Sequence, residues 1–521
     1  MYDLLLRNGT VIDGTGAARR AVDVAIVGDR IAALGKFEPS AARRTLDVAG
    51  LIVAPGFIDV HNHSDGWLLK HPNFASKTLQ GVTTEVLYSD GISYAPTSPR
   101  NAGEWIQYMR PLNGLQQADY SGWQTLDDYF QLLDGRTAQN VVAQVPYANV
   151  RVEASGWGCR TIDDMQRRQM QFLIEQGMRS GATGTSTGMD YICQCYASTD
   201  ELADVLKAMS PWNGLFVTHI RYKIGLLPAI AEAVEIARRA EVPLHISHLK
   251  ADSQTPADAV FELLEESAKD VSVSYDVYPY MPGSTLLSSL LPYEVWDEGP
   301  SKVTQKLLDP AIRRRFGAML DSATRNRLEC IRLAWVSTKA NTPYQGMPLT
   351  EYVAAVGKSA ADALCDLLLE ENLNVLCVFH VAEDPLVEPF IQHPMYMLGS
   401  DGIFQPDGIV HPRQFGSAAR ILGPMVRDRR LFSLEAAVKK MTNFPAERFG
   451  LKDRGVVREG AFADLTVFDE QTIGDAATYA EPRQYAVGVN HVLVNGTPIV
   501  ENGQTLDDLK KWPGRWLKYR R

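Results

Sequence analysis

The chain has 521 residues, 45% of them hydrophobic and 22% charged, enough to bury a large core and to form one big domain with a smaller one. Its formal charge of -10 excludes a general affinity for nucleic acid or acidic membranes. No segment reaches the ~20 apolar residues of a membrane span. MYDLLLR at the start has neither a basic lead nor a small-residue cleavage site, so the expected location is the cytoplasm. Cys159, Cys193, Cys195, Cys330, Cys365 and Cys377 are too sparse and irregular for a disulfide framework there.

Residues 1–54 read as short strands with turns at Asn8-Gly9 and Gly28-Asp29. The same grammar returns at 451–521 in AFADLTVFD and HVLVNGTPIVENG, followed by a tail. Neither end has enough strands to bury a face alone, so the two ends are expected to join in one small β-sandwich domain.

Over 55–450 strand and helix alternate. TTEVLY, NVVAQVPY, GATGTST, GLFVTHI, VPLHISHL, VSVSYDVY, NVLCVFHV and MYMLGSD are apolar runs separated by helical stretches such as LLPAIAEAVEIARRAE. About eight parallel strands buried on both faces argue for an α/β fold, a (β/α)8 TIM-like barrel. A doubly wound sheet is the alternative, weakened by the lack of a glycine-rich loop after any early strand. From about 285 to 345 the rhythm stops, as expected of an inserted lid or packing extension.

Metal-binding residue types gather at strand ends. His61 and His63, after PGFIDV, are two apart, so on a strand both imidazoles face one way. His219 ends GLFVTHI and His248 ends PLHISHL, and imidazoles from several strand ends can converge on one ion. His245 has the opposite strand parity to His248 and is expected to be structural. Lys250 shares the parity of His248 and can reach the same cavity. Asp401, in MLGSDG, can ligate metal, take a proton or cap a helix. Cys193-Gln194-Cys195 lacks the second pair that a zinc site of that spacing needs.

GFIDVHNHSD, FVTHIR, PLHISHLK, DVYPYMPGST, LGSDG and HPR together resemble the amidohydrolase superfamily and, within it, the N-acyl-D-amino-acid deacylase (D-aminoacylase) group. The likeness runs from RNGTVIDGTG to LVNGTPIVENG. It implies that Asp90, in YSDGIS, stands where the family carries a metal-binding cysteine, with oxygen donors in place of sulfur. It further implies one ion among Asp90, His219 and His248, and a second held by His61, His63 and Asp401 with Asp90 open to sharing between them. Zinc is the default, and the oxygen donors admit Mn or Fe. Tyr278, Ser284 and Arg413 match positions that bind the substrate carboxylate, with Lys250 beside them. Tyr191 matches a pocket tyrosine, although CQC after it departs from the family pattern, and Tyr147 stands where relatives carry histidine.

The expected reaction is hydrolysis of an N-acyl-D-amino acid, or a similar carboxylate-bearing small-molecule amide, by metal-bound hydroxide with Asp401 as general acid and base. Hydrolysis of a cyclic amide, as in hydantoinase-like relatives, is the alternative. A third reading is an inactive barrel used for binding, against which stands the retention of His61, His63, His219, His248 and Asp401. The natural substrate and the assembly state, a homo-oligomer included, are not legible in the residues.

Overall fold

The computed structural model describes residues 1–158, 160–251, 255–322, 327–380 and 382–520. Cys159 and residues 323–326 of the expected insertion therefore lie outside the described residues. The other five cysteines are free.

The large central part is α/β. Phe57–Asp59, Val82–Val86 and Asn140–Val142 form a parallel three-stranded sheet. Val145–Pro146, Gly184–Gly188, Leu215–His219, Leu244–Ile246, Val273–Val277 and Tyr396–Leu398 follow in a parallel six-stranded one. Thr183 N–H donates to Ala143 O (2.9 Å) where the first sheet gives way to the second. At the other end Val60 N–H donates to Leu398 O (3.1 Å), and Asn62 and Gly402 form a parallel bridge. Ile58, Val86, Val142, Leu215, Val217 and Met397, drawn from both sheets, share one buried apolar cluster with Phe449.

The linking helices follow from local chemistry. Asp163 accepts from the free N–H groups of Met165 and Gln166 and so starts the helix Asp164–Ser180, which Gly181 ends in a left-handed turn at φ +113°. Leu226–Ala240 buries Leu226, Ala229, Ile230, Ala233 and Ala237, the 3.6-residue stripe of an amphipathic helix.

Strands from the two chain ends pair with each other. Ile52–Pro55 pairs with Leu465–Phe468 in a sheet that continues through Val489–Val494 and Thr497–Glu501. A four-stranded sheet around Tyr2–Arg7 lies beside it. Leu4, Leu6, Val24 and Ile26 of one sheet share an apolar cluster with Val53, Leu465, Val467 and Leu493 of the other. The final segment returns to the central part, where Leu517 N–H donates to Val141 O (2.8 Å).

One expectation needs correction. NVLCVFHV is no parallel strand: Val375–Phe379 is the middle of an antiparallel sheet between Gly283–Leu286 and Ile331–Val336. The strands of this sheet bracket the stretch 285–345, expected as an insertion, from Gly283–Leu286 to Val375–Phe379. An apolar run buried on both faces reads the same in either kind of sheet, which is why pattern alone misassigned it.

Lys77 is fully buried, 2.6 Å from Asp59 Oδ2 and 2.5 Å from Ser400 Oγ. Asp59 also accepts from the backbone N–H of Ser400 (2.8 Å), so this pair ties the strand leading to His61 to the one leading to Asp401. Breaking a buried pair strands a charge. Lys77→Met is expected to cost about 3–5 kcal/mol in urea unfolding; an unchanged midpoint would mean that the pair holds nothing together.

Candidate active site

Loops at the carboxyl ends of the parallel strands bring His61, His63, Asp90, His219, His248 and Asp401 together. Asp90 is central. Its Oδ1 lies 3.6 Å from both His61 Nε2 and His248 Nε2, and its Oδ2 lies 3.7 Å from His63 Nε2. Asp401 Oδ1 lies 3.2 Å from His63 Nε2 and 3.7 Å from His61 Nε2. His219 Nδ1 is 3.0 Å from His248 Nε2. Three candidate ligand triads result: His61, His63 and Asp90; Asp90, His219 and His248; and His61, His248 and Asp401.

These separations test whether a metal fits. Two ligands each ~2.1 Å from one tetrahedral ion stand about 3.4 Å apart. Most of the observed N···O distances are too long for hydrogen bonds yet close to that spacing. Both ring nitrogens of His61 and Oδ1 of Asp90 are buried without a hydrogen-bond partner. Buried polar atoms are nearly always paired, so the donor set fits one or two divalent cations. Among the described residues, no candidate ligand group includes Cys193 or Cys195.

The backbone holds these groups in unusual places. Asp90, His248 and Asp401 have φ of 58°, 39° and 48°, in the left-handed region. Aspartate tolerates that region better than most residues, and such strain collects at functional sites. Gln194 fixes the Asp90 turn, donating to Asp90 O (3.0 Å) while its Oε1 accepts from Gly188 N–H (2.7 Å). A Cβ on Gly91 would stand 2.2 Å from that Oε1, so only glycine fits.

Charge is concentrated here. Burial pushes the Asp90 carboxyl up, but His61 and His248 outweigh it and hold the group well below the usual carboxylate range. Asp401 is likewise held low, burial being overcome by Arg413 and His63. His61 is raised well above its ordinary value despite burial, by Asp90 and Asp276. The carboxylates are thus ionised, as metal ligands must be.

Beside this cluster, Arg413 is fully buried, with Nη1 2.8 Å from Asp401 Oδ2 and Nη2 donating to Ser284 O (3.2 Å). Its guanidinium lies over the Tyr278 ring, 4.3 Å from the centroid. Lys250 Nζ donates to Tyr278 Oη (2.7 Å) and Met281 O (2.9 Å), and burial with the nearby Arg413 pushes its pKa down to about 7. Ser284 Oγ donates to Cys377 O (2.8 Å). The Tyr191 ring packs on His219 with centroids 4.6 Å apart. Tyr147 stands apart from the others: its hydroxyl donates to Glu201 (2.7 Å), which also pairs with buried Arg151.

Several supporting residues escaped the sequence reading. Asp276 accepts from His248 N–H (2.9 Å), lies 2.9 Å from His245 Nε2 and faces His61 Nδ1 at 3.6 Å. Asn113 Oδ1 lies 3.2 Å from His63 Nδ1, and Asp190 Oδ2 3.7 Å from His219 Nε2. The one available signal was Asp276 inside DVYPY. The strand ends at Ile246, so strand parity does not extend to His248; its ring turns to Asp90 and His219, whereas its N–H and the His245 ring both meet Asp276. The same holds for Lys250, which lies beyond that strand end.

The amidohydrolase family model matches residues 44–288 and 318–500. A D-aminoacylase from Alcaligenes xylosoxydans xylosoxydans is 34% identical over 503 residues, covering 96% of this chain and 94% of that one. Among solved structures, N-acyl-D-glutamate deacylase from Bordetella bronchiseptica, in complex with zinc and a phosphonate mimic of the tetrahedral intermediate, is similar with a TM-score of 0.82 at 31% identity, covering 99% of each chain. A D-aminoacylase with a binuclear metal centre is similar with a TM-score of 0.80 at 32% identity, covering 99% of this chain and 100% of that one.

Partners that orient ligating histidines set metal affinity. Asp276→Asn is expected to weaken zinc binding by about 10–100-fold in competition with a chromogenic chelator; wild-type affinity would exclude Asp276 from that role.

Proposed function

The chain belongs to the amidohydrolase family, and from that membership we propose that it is a metal-dependent deacylase that hydrolyses the amide bond of N-acyl-D-amino acids. The observation that carries this reading is the buried cluster around Asp90 with a cationic clamp, Arg413 and Lys250, beside it. The D preference is carried over from the deacylases that the chain resembles along nearly its whole length.

The fold behind this reading is a closed (β/α)8 barrel over 55–450 with a β-sandwich formed by 1–54 and 451–521. The Val60–Leu398 hydrogen bond, the shared apolar cluster and the joined terminal strands support it. No helix among the described residues is long and apolar enough to cross a membrane. That and the free cysteines suit a cytoplasmic enzyme.

His61, His63, Asp90, His219, His248 and Asp401 would hold the metal, zinc being the ion bound by the similar deacylase. A divalent ion there supplies an acidified water and a counter-charge for the developing oxyanion. Arg413 and Lys250 bind the substrate carboxylate, with Tyr278 beneath, and set the amide against the Asp401 side of the cluster. Asp401 Oδ1 takes the proton of the attacking water and delivers it to the departing amide nitrogen. One water is consumed, and a carboxylate and a free amino acid leave. Tyr191, on the His219 ring, would line the acyl or side-chain space. Tyr147, engaged by Glu201, would shape the wall behind it.

Free-amine release from paired N-acetyl-D- and N-acetyl-L-amino acids, with Zn, Mn or Fe added back, tests the reading. D-selective release is expected, and Asp401→Asn should lower kcat by about 10²–10⁴-fold with the fold retained; release from cyclic amides alone would sink the proposal. Asp90→Cys exchanges oxygen for sulfur. It should raise the ratio of zinc to manganese affinity, on the order of tenfold, and an unchanged ratio would place Asp90 outside the coordination sphere.

A further inference from the structure

A second cavity of ≈ 300 Å³ lies between the barrel loops and the inserted subdomain. Trp67, Arg110, Gly114 and Gln405 come from the barrel side, Trp335 and Lys339 from the insertion. None of Lys250, Tyr278, Arg413 or the candidate metal ligands lines it, so it is separate from the proposed substrate clamp. Its volume is at the low end of small-molecule sites.

We propose that this cavity is a second ligand site, for a small carboxylate carrying a flat apolar group, with Arg110 as the anchor. Arg110 is half-buried, its guanidinium 5.8 Å from the Trp335 ring centroid, and its side chain makes no hydrogen bond or ion pair among the described residues. Glu371, the nearby buried carboxylate, is already engaged. Its oxygens accept from Ser337 N–H (2.6 Å) and Oγ–H (2.8 Å), Thr338 N–H (2.8 Å) and Asn341 Nδ2 (2.7 Å). Burying a charge without a partner is costly, and a carboxylate is the natural partner of a guanidinium fork. Burial accordingly pulls the Arg110 pKa down, with only Glu371 acting against it.

The walls define the rest of the ligand. Trp67 and Trp335 are 6% and 8% exposed, and the Trp67 indole N–H is buried without an acceptor. Two indoles beside one cation suit a flat ring whose carboxylate reaches the guanidinium. At the rim exposed Lys339 and exposed Asp407 carry opposite charges, which leaves Arg110 as the positive anchor. The cavity is also mechanically close to the metal cluster. Arg110 shares the helix Pro99–Asn113 with Asn113, the partner of His63, and Gln405 donates to Pro111 O (2.9 Å) only four residues beyond Asp401.

The test is a calorimetric titration of the full-length, zinc-loaded protein with phenylacetate, compared among wild type, Arg413→Ala and Arg110→Gln. Saturable binding that persists in Arg413→Ala and weakens at least about tenfold in Arg110→Gln is expected, one charge-assisted contact being lost. Absence of saturation overturns the proposal. So does binding that disappears with Arg413→Ala but survives Arg110→Gln, which would place the probe in the substrate clamp. If thermal unfolding shows that Arg110→Gln is not folded, Lys339→Glu, at an exposed position, decides: reduced affinity supports the site, and wild-type affinity overturns it.

Discussion

The fold has to keep ionised carboxylates and imidazoles packed together away from water with their lone pairs aimed at one point. Such a cluster is unfavourable by itself, since each buried charge loses hydration. Asp90, Asp276 and Asp401 are all buried, and among the described residues only Arg413 makes a close ion pair with any of them apart from histidine. A parallel α/β framework suits this demand. Its strands end together on one face, and irregular loops at those ends can take the left-handed turns seen at Asp90, His248 and Asp401.

Around the cluster a second layer holds the first in place. Asp276 reaches His61, His245 and His248, Asn113 faces His63, and the Lys77–Asp59–Ser400 network joins the segments bearing His61 and Asp401. These contacts link strands distant in sequence. A ligand atom displaced by a fraction of an ångström no longer completes the coordination, so the second layer does for geometry what the donor atoms do for chemistry.

That division explains what the sequence could and could not reveal. His61 and His63 announce themselves because two imidazoles at strand spacing after an apolar run are rare for other reasons. Asp401 and His219 sit at recognisable strand ends. Asp276 is marked only by its place inside DVYPY, within a strand, and Asn113, which ends a helix, carries no mark; the value of both depends on long-range proximity. The residue period also misleads where a strand stops early, as at Ile246, and where an apolar run belongs to another sheet, as at Val375–Phe379. Tyr147 was singled out by its place in a motif, yet its hydroxyl is engaged by Glu201 in a buried ion cluster that only the fold brings together.

The carboxylate of Asp90 stands where the resemblance places a cysteine, and the difference lies in shape as well as softness. A thiolate offers one atom to every ion that it touches. Asp90 offers two, with Oδ1 turned to His61 and His248 and Oδ2 to His63. Gln194 and Gly91 fix the backbone turn that presents this carboxylate. Were Asp90 to hold an ion on each oxygen, both would meet a harder donor than a single sulfur, which would weaken the preference for a soft metal. The unpartnered Oδ1 stands beside the unpartnered nitrogens of His61, donor capacity that burial leaves uncompensated and that a cation held there would satisfy.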